Sequence, residues 1–212
     1  MTPEAKARQA IDEQLIQAGW VLQDLRALNL GAGLGVAVRE YPTDSGPADY
    51  VLFVNRIAVG VIEAKREDAA VNLTVTERQT QRYASATLKW RKDRTPLPFL
   101  FEATGQVIRF TDGRDPAPRS RELFHFLRPD TLAQWLGQPA TLRSRLKNDM
   151  PVLHAERLRT CQVSAVTGLE NALALNKPRA LVHMATGSGK TFTAITSIYR
   201  LLKFGGAKRI LF

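Results

Sequence analysis

The chain has 212 residues, 44% hydrophobic and 24% charged, enough for one domain and part of another around ordinary globular cores. Thirty Lys and Arg against twenty Asp and Glu give a net charge of +10 and a pI near 10.2, which favours a polyanionic partner, most commonly nucleic acid. One cysteine (Cys161) excludes an internal disulfide, three scattered histidines offer no zinc spacing, and neither a signal core nor an apolar run of about 18 residues is present. The expected compartment is therefore the cytoplasm, without membrane contact.

Residues 3–18 are expected to form a helix, with Thr2 as N-cap, Pro3 at the first helical position and Gly19 as the stop. Ala7, Ile11, Leu15 and Ala18 share its apolar face; Glu4 falls on the same arc and Glu13 on the opposite side. Gly31–Gly35 breaks the chain, and Leu34–Tyr41 reads as a strand running into a turn at Pro42–Pro47. Arg39 and Glu40 read either as an internal ion pair or as residues that align a site. Tyr50–Val54 and Ile57–Lys65 then read as two strands joined by Asn55-Arg56, rich in the β-branched and aromatic residues that suit a half-buried sheet. After a polar loop at Arg66-Glu67-Asp68, Val75–Leu88 reads as a helix carrying Gln79 and Tyr83 on one face. The segment Lys89–Arg94 sets four cations around Trp90, either a nucleic-acid contact or a solvated helix end with a buried ring. Leu97–Ala103 and Val107–Thr111 read as further strands around Thr104-Gly105. Residues 113–156, with several prolines and short apolar runs at Leu123–Leu127 and Leu132–Leu136, read as the edge of the first domain and a linker with short helices.

The Tyr50–Lys65 hairpin carries the chemistry. Period-2 geometry puts Ile57, Val59, Val61, Glu63 and Lys65 on one face, with Ala58, Gly60, Ile62 and Ala64 on the other. An apolar run thus ends in a carboxylate and an ammonium, which are costly to bury unless they bind something. A two-residue loop pairs Val54 with Ile57 and leaves Asp49 one place off Glu63. A bulge or odd-length loop at residues 54–57 would set the two carboxylates straight across from one another, and is expected. Two carboxylates and a lysine suit Mg²⁺ held by Asp49 and Glu63, with Lys65 orienting a water against a phosphodiester.

Asp49 followed by Glu63-Ala-Lys65 resembles the active site of the PD-(D/E)xK nuclease superfamily, with Pro47 two places before Asp49 rather than next to it. Gln79-Thr-Gln-Arg-Tyr83 is similar to the Gln-x-x-x-Tyr element that some branches carry on the following helix. The resemblance implies catalytic roles for Asp49, Glu63, Lys65, Gln79 and Tyr83. It also makes Glu4 a candidate for the extra metal-shell carboxylate that some members take from their first helix.

From Leu158 the character changes. Arg159–Gln162 opens a helix to about Leu175, Pro178 punctuates, and Ala180–His183 reads as a strand entering Met184-Ala-Thr186-Gly187-Ser188-Gly189-Lys190-Thr191 and a helix to about Phe204. Such a loop cradles phosphates: backbone N–H groups face the anion, Lys190 reaches the β/γ-phosphates and Thr191 can ligate Mg²⁺. Met184 breaks the strict G-x-x-x-x-G-K-T pattern, and the stretch is instead similar to the Ala-x-x-Gly-x-Gly-Lys-Thr form of superfamily 2 helicases. There Arg159 and Gln162 resemble the upstream element that reads adenine. The implied ATP-binding residues are Gln162 and Thr186, Gly187, Ser188, Gly189, Lys190 and Thr191.

A nuclease core followed by a superfamily 2 motor start resembles the N-terminal part of the R subunit of type I restriction enzymes. The Ile11-Asp-x-x-Leu15 helix, Val38-Arg-Glu-Tyr41, Asp49-Tyr-Val-Leu52, Val61-Ile-Glu-Ala-Lys65 and Phe101–Gly105 extend the likeness along the chain. The expected fold is α/β, a restriction-endonuclease-like mixed sheet flanked by helices over 1–136, a linker over 137–156, and a truncated RecA-like phosphate-loop domain start over 157–212. The resemblance implies a Mg²⁺-dependent endonuclease acting on double-stranded DNA, inside a complex with modification and specificity subunits. The chain stops at Ile210-Leu-Phe212 before an Asp-Glu pair, so ATP hydrolysis and translocation are not expected of it, and its C-terminal third is expected to be the least stable part. The alternative is a non-catalytic DNA-binding or complex-docking fragment.

Overall fold

The computed structural model describes residues 3–44, 46–65 and 96–211, in two compact units: Met1–Gly113 with Arg119–Gln138, and Arg114–Pro118 with Pro139–Phe212. The first is built on a seven-stranded mixed sheet whose strands lie side by side in chain order: β1 (Val21–Asp24), β2 (Gly35–Thr43), β3 (Gly46–Val54), β4 (Ile57–Ala64), β5 (Phe99–Ala103), β6 (Ile108–Asp112) and β7 (Arg121–Leu123). The pairs β1/β2 and β4/β5 are parallel and the others antiparallel.

The first helix, α1 (Pro3–Gln17), ends where Gly19 takes φ 88, with Gly19 N–H bonded to Ile16 O at 2.9 Å and Trp20 N–H to Leu15 O at 3.0 Å. This pair of bonds satisfies the last carbonyls of the helix, and the left-handed backbone it needs favours glycine. Ala7, Ile11 and Leu15 are buried as their spacing predicts. Ile11 and Leu15 pack on one face of the sheet with Leu52, Ile62 and Phe101, joined by Leu132 of α2 (Pro129–Leu136). Alternate positions (Val36, Val38, Val51, Val61, Leu97, Leu100) build the core of the other face. Each fully buried side chain of this size contributes about 1.5–3 kcal/mol, so the sheet's position is set by both faces at once.

Three readings need correction. The expected turn at Pro42–Pro47 is tighter, because β2 runs on to Thr43 and β3 begins at Gly46. The edge strands β1 and β7 were not anticipated; residues 121–123 pair with β6 and the apolar run 123–127 forms no helix. Ala180–His183 forms no strand, because no segment among the described residues offers it a ladder, and Leu181 is 93% exposed.

The second unit is helical: α3 (Leu142–Asn148), α4 (Thr160–Ala174) and α5 (Lys190–Lys203). Thr141 caps α3 by accepting from Ser144 N–H at 3.1 Å. Within the 137–156 stretch read as linker, α3 packs on α4 and belongs to this unit. Its firmest internal tie is a buried ion pair, Arg200 Nε to Glu170 Oε1 at 2.6 Å, with Arg200 Nη2 also donating to Pro151 O at 2.7 Å.

Candidate active site

The hairpin that carries the three nuclease-like residues reaches the expected alignment by another route. Asn55 (φ 49) and Arg56 (φ 68) form a two-residue turn with both backbones left-handed, the type whose twist matches that of the strands it joins. Val54 pairs with Ile57 and Phe53 with Ala58, but Leu52 pairs with Gly60, so Val59 is the extra residue of a bulge. The bulge thus lies inside the strands rather than at 54–57. From there Tyr50 pairs with Ile62, and the same register carries Asp49 opposite Glu63. The bulge also corrects the facial assignment: Ala58 joins Val61 in one core, whereas Val59 joins Ile62 in the other, so Val59 is not on the Glu63 face.

Asp49 Oδ2 accepts from Ala64 N–H at 2.9 Å, and Lys65 Nζ donates to Glu63 Oε1 at 2.9 Å. All three side chains are largely enclosed, at 15%, 14% and 15% exposure for Asp49, Glu63 and Lys65. The parallel β4/β5 pair sets Glu63 beside Glu102, which is only 4% exposed. Burial raises the Glu63 carboxyl above its ordinary range; Lys65 opposes that shift, and the charges of Asp49 and Glu102 add to it. Glu102 was missed in the sequence; its signal was a lone carboxylate inside the apolar strand Phe99–Ala103.

A second missed contributor comes from α1. Arg8 Nη2 donates to Asp49 Oδ1 at 2.6 Å and Nη1 to Glu40 Oε1 at 3.0 Å. Burial works against the Arg8 charge, but Asp49 and Glu40 outweigh it and raise its pKa. One turn further along, Asp12 accepts from Arg39 Nη2 at 2.9 Å and from the Tyr50 hydroxyl at 2.8 Å. Arg39 Nη1 also reaches Asp24 Oδ1 at 3.0 Å. Arg39 and Glu40 are therefore tied to α1 separately rather than to one another. Burial, followed by the Asp12 bond, pushes the Tyr50 phenol well above its usual range.

Gln79, Tyr83 and Lys89–Arg94 lie outside the described residues, as does the side chain of Glu4. Among the described residues no three His, Cys, Asp or Glu side chains are grouped to hold a metal ion. The candidate donor set, Asp49 and Glu63, is all oxygen and partly enclosed, which fits a hard divalent cation resting on two carboxylates and on water.

In the second unit the glycine loop opens α5. Gly187 (φ 76) and Gly189 (φ 88) are left-handed, and a Cβ on Gly189 would meet Gln162 Nε2 at 2.3 Å. Gln162 Nε2 donates to Ser188 O at 3.0 Å while its Oε1 accepts from Arg159 N–H at 2.9 Å, and Arg159 Nη1 donates to Gly187 O at 2.9 Å. Arg159 and Gln162 thus brace the loop from α4. Thr186, Lys190 and Thr191 are exposed, with Lys190 Nζ at 3.4 Å from Met184 O.

A mixed sheet with an acid–amine rim, followed by a braced glycine loop, is the arrangement expected of a restriction-endonuclease-like protein with a helicase-like segment. Residues 31–136 match the family model of the second domain of the type I restriction enzyme EcoKI endonuclease subunit, and residues 156–212 match that of the type III restriction enzyme res subunit. The chain belongs to the family of type I restriction enzyme endonuclease subunits. It is 30% identical over 258 aligned positions to the type I restriction enzyme EcoKI endonuclease subunit of Escherichia coli K12, covering 99% of this chain and 22% of that protein. A solved fragment assigned to an HsdR subunit of a type I restriction enzyme from Vibrio vulnificus YJ016 is 22% identical, with a TM-score of 0.47 over 95% of this chain and 38% of the other. No helix among the described residues is long and apolar enough to cross a membrane.

Proposed function

We propose that the first unit is the Mg²⁺-dependent endonuclease centre of a type I restriction R subunit, acting on double-stranded DNA alongside modification and specificity subunits. The observation that carries this is the convergence of Asp49, Glu63 and Lys65 on one rim, produced by the Val59 bulge. Asp49 and Glu63 would hold the cation, whose chemistry when bound is to acidify a water and polarise a phosphoryl oxygen. Ala64 N–H fixes Asp49 from the end of the central strand β4. Glu63 fixes the Lys65 ammonium, which orients the attacking water and offsets charge developing on the phosphate. The charge of +10 supports a phosphate-backbone partner.

For the second unit we propose ATP binding: Gly187–Thr191 offers backbone N–H groups and the start of α5 to phosphates, Lys190 meets the β/γ-phosphates, and Gln162 holds the loop open. Supercoiled plasmid incubated with the chain and Mg²⁺, beside Lys65→Ala, tests the nuclease reading. Nicking that vanishes in the variant supports it. Absent cleavage by both proteins, with retained salt-sensitive DNA binding, supports the DNA-binding or docking fragment instead.

A further inference from the structure

The guanidinium of Arg8 sits on the carboxylate that the proposed cation needs. Its Nη2 is 2.6 Å from Asp49 Oδ1, while the other oxygen, Oδ2, is held by Ala64 N–H at 2.9 Å. The Ala64 bond comes from a backbone N–H at the end of β4, a donor held in place by the sheet. The Arg8 bond can be exchanged, because the side chain is 46% exposed and swings without opening the core. Its position is nevertheless built in: Asp12, one turn along α1, is tied to Arg39 and Tyr50, and the Tyr50 hydroxyl also donates to Arg8 O at 3.3 Å.

A purely structural role for Arg8 fits poorly. The Arg8–Glu40 pair is exposed on both sides and adds little to stability, and α1 is already docked by Ile11, Leu15 and the Asp12 network. A second anchor is present as well. Glu40, with its carboxylate 3.0 Å from Arg8 Nη1 and 69% exposed, lies across from Asp49 between the Arg39↔Tyr50 and Tyr41↔Ala48 pairs. Its φ of 47 is a conformation that a non-glycine residue adopts at a cost and that clusters at functional sites.

We infer that Arg8 is the resident counter-cation of Asp49, which a divalent ion must displace toward Glu40, so that this side chain sets the ion's affinity. A guanidinium and a divalent ion on one carboxylate repel strongly in a partly enclosed site. Arg8 is then a positioning residue that keeps the acidic rim neutralised until the ion arrives. The inference rests on the proposed metal reading, and the experiment separates the two.

Mn²⁺ binding to the whole 212-residue chain, followed by the free-ion electron paramagnetic resonance signal, is compared for the parent, Arg8→Met, Arg8→Lys and Asp49→Asn. Arg8→Met should bind about tenfold tighter, the scale of one lost charged hydrogen bond. Arg8→Lys, which keeps a charge but not the fork, should fall in between; it decides the matter if Arg8→Met fails to fold. Equal or weaker binding in the Arg8 variants, with Asp49→Asn still abolishing binding, overturns the inference alone. No binding by any protein, or binding that Asp49→Asn leaves unchanged, overturns the metal reading and the inference with it.

Discussion

The two units hold their candidate sites in different ways. At the sheet rim, Asp49, Glu63, Glu102 and Arg8 come from β3, β4, β5 and α1, and meet because strand register and the docking of α1 bring them together. In the helical unit the glycine loop is a single run of residues, 186–191, braced by Gln162 of α4 and by Arg159 at its N-cap. The first arrangement requires the whole sheet to be in place. The second needs one turn and two helices, and keeps its shape while Leu181 and Val182 just before it stay exposed. A site assembled from distant strands therefore inherits the cooperativity of its core, whereas a local loop is largely independent of such support.

The largest effects should separate these cases. Phe101→Ala removes a ring buried to 1% exposure between Phe110 and Phe126 and should cost about 3–5 kcal/mol. Leu181→Ala should change stability by less than about 0.5 kcal/mol. Chemical denaturation followed by far-ultraviolet circular dichroism, which reports both the sheet and the helices, measures both, and a similar cost for the two would break the comparison. Arg200→Ala tests whether the helical unit has a cooperative centre of its own. It strands the buried Glu170 carboxylate and should cost about 3 kcal/mol or more; a neutral result would mean that α4 and α5 are held by packing alone.

A smaller, signed effect comes from Glu63. Its carboxyl titrates above the ordinary value in the folded chain, so the folded state holds the proton more tightly than the unfolded one. The associated stability is fully present below the ordinary glutamate pKa and is lost as pH rises through the raised value. In chelator, Glu63→Gln should therefore stabilise the chain at neutral pH and flatten the acidic part of its stability–pH curve. A parent curve that instead climbs through that window because of Glu63 would show that Lys65 dominates the local field.

The parts of this architecture that were legible are those written in local pattern. The face of α1, its stop at Gly19 and the glycine loop follow from spacing within one or two turns. The need for a register reset between Asp49 and Glu63 could be inferred by counting, but not its place. Val59 stands in a run of β-branched and small residues with no local mark for a bulge, and the Asn55-Arg56 turn took the tight form. Glu102 matters only through a parallel pairing across a long connection, and Arg8 through a contact 41 residues away. Spacing within one element encodes neither. The edges β1 and β7, four and three residues long, are too short to show a period. At 180–183 the pattern was strand-like, but a strand also needs a neighbour.

A modest effect is predicted at the local site. Gln162 is 5% exposed and ties three backbone groups together: it accepts from Arg159 N–H and donates to Ser188 O, with Gly189 O at 3.5 Å. Gln162→Ala leaves these groups near the surface, where water replaces the lost partners, so the stability cost should be about 1 kcal/mol. The left-handed backbones of Gly187 and Gly189 lie within the loop itself, so its conformation should survive while its mobility rises. Binding of a fluorescent ATP analogue should therefore weaken several-fold with little change in melting temperature. Were melting to drop steeply instead, Gln162 would be part of a cooperative core, and the loop would be no more local than the sheet rim.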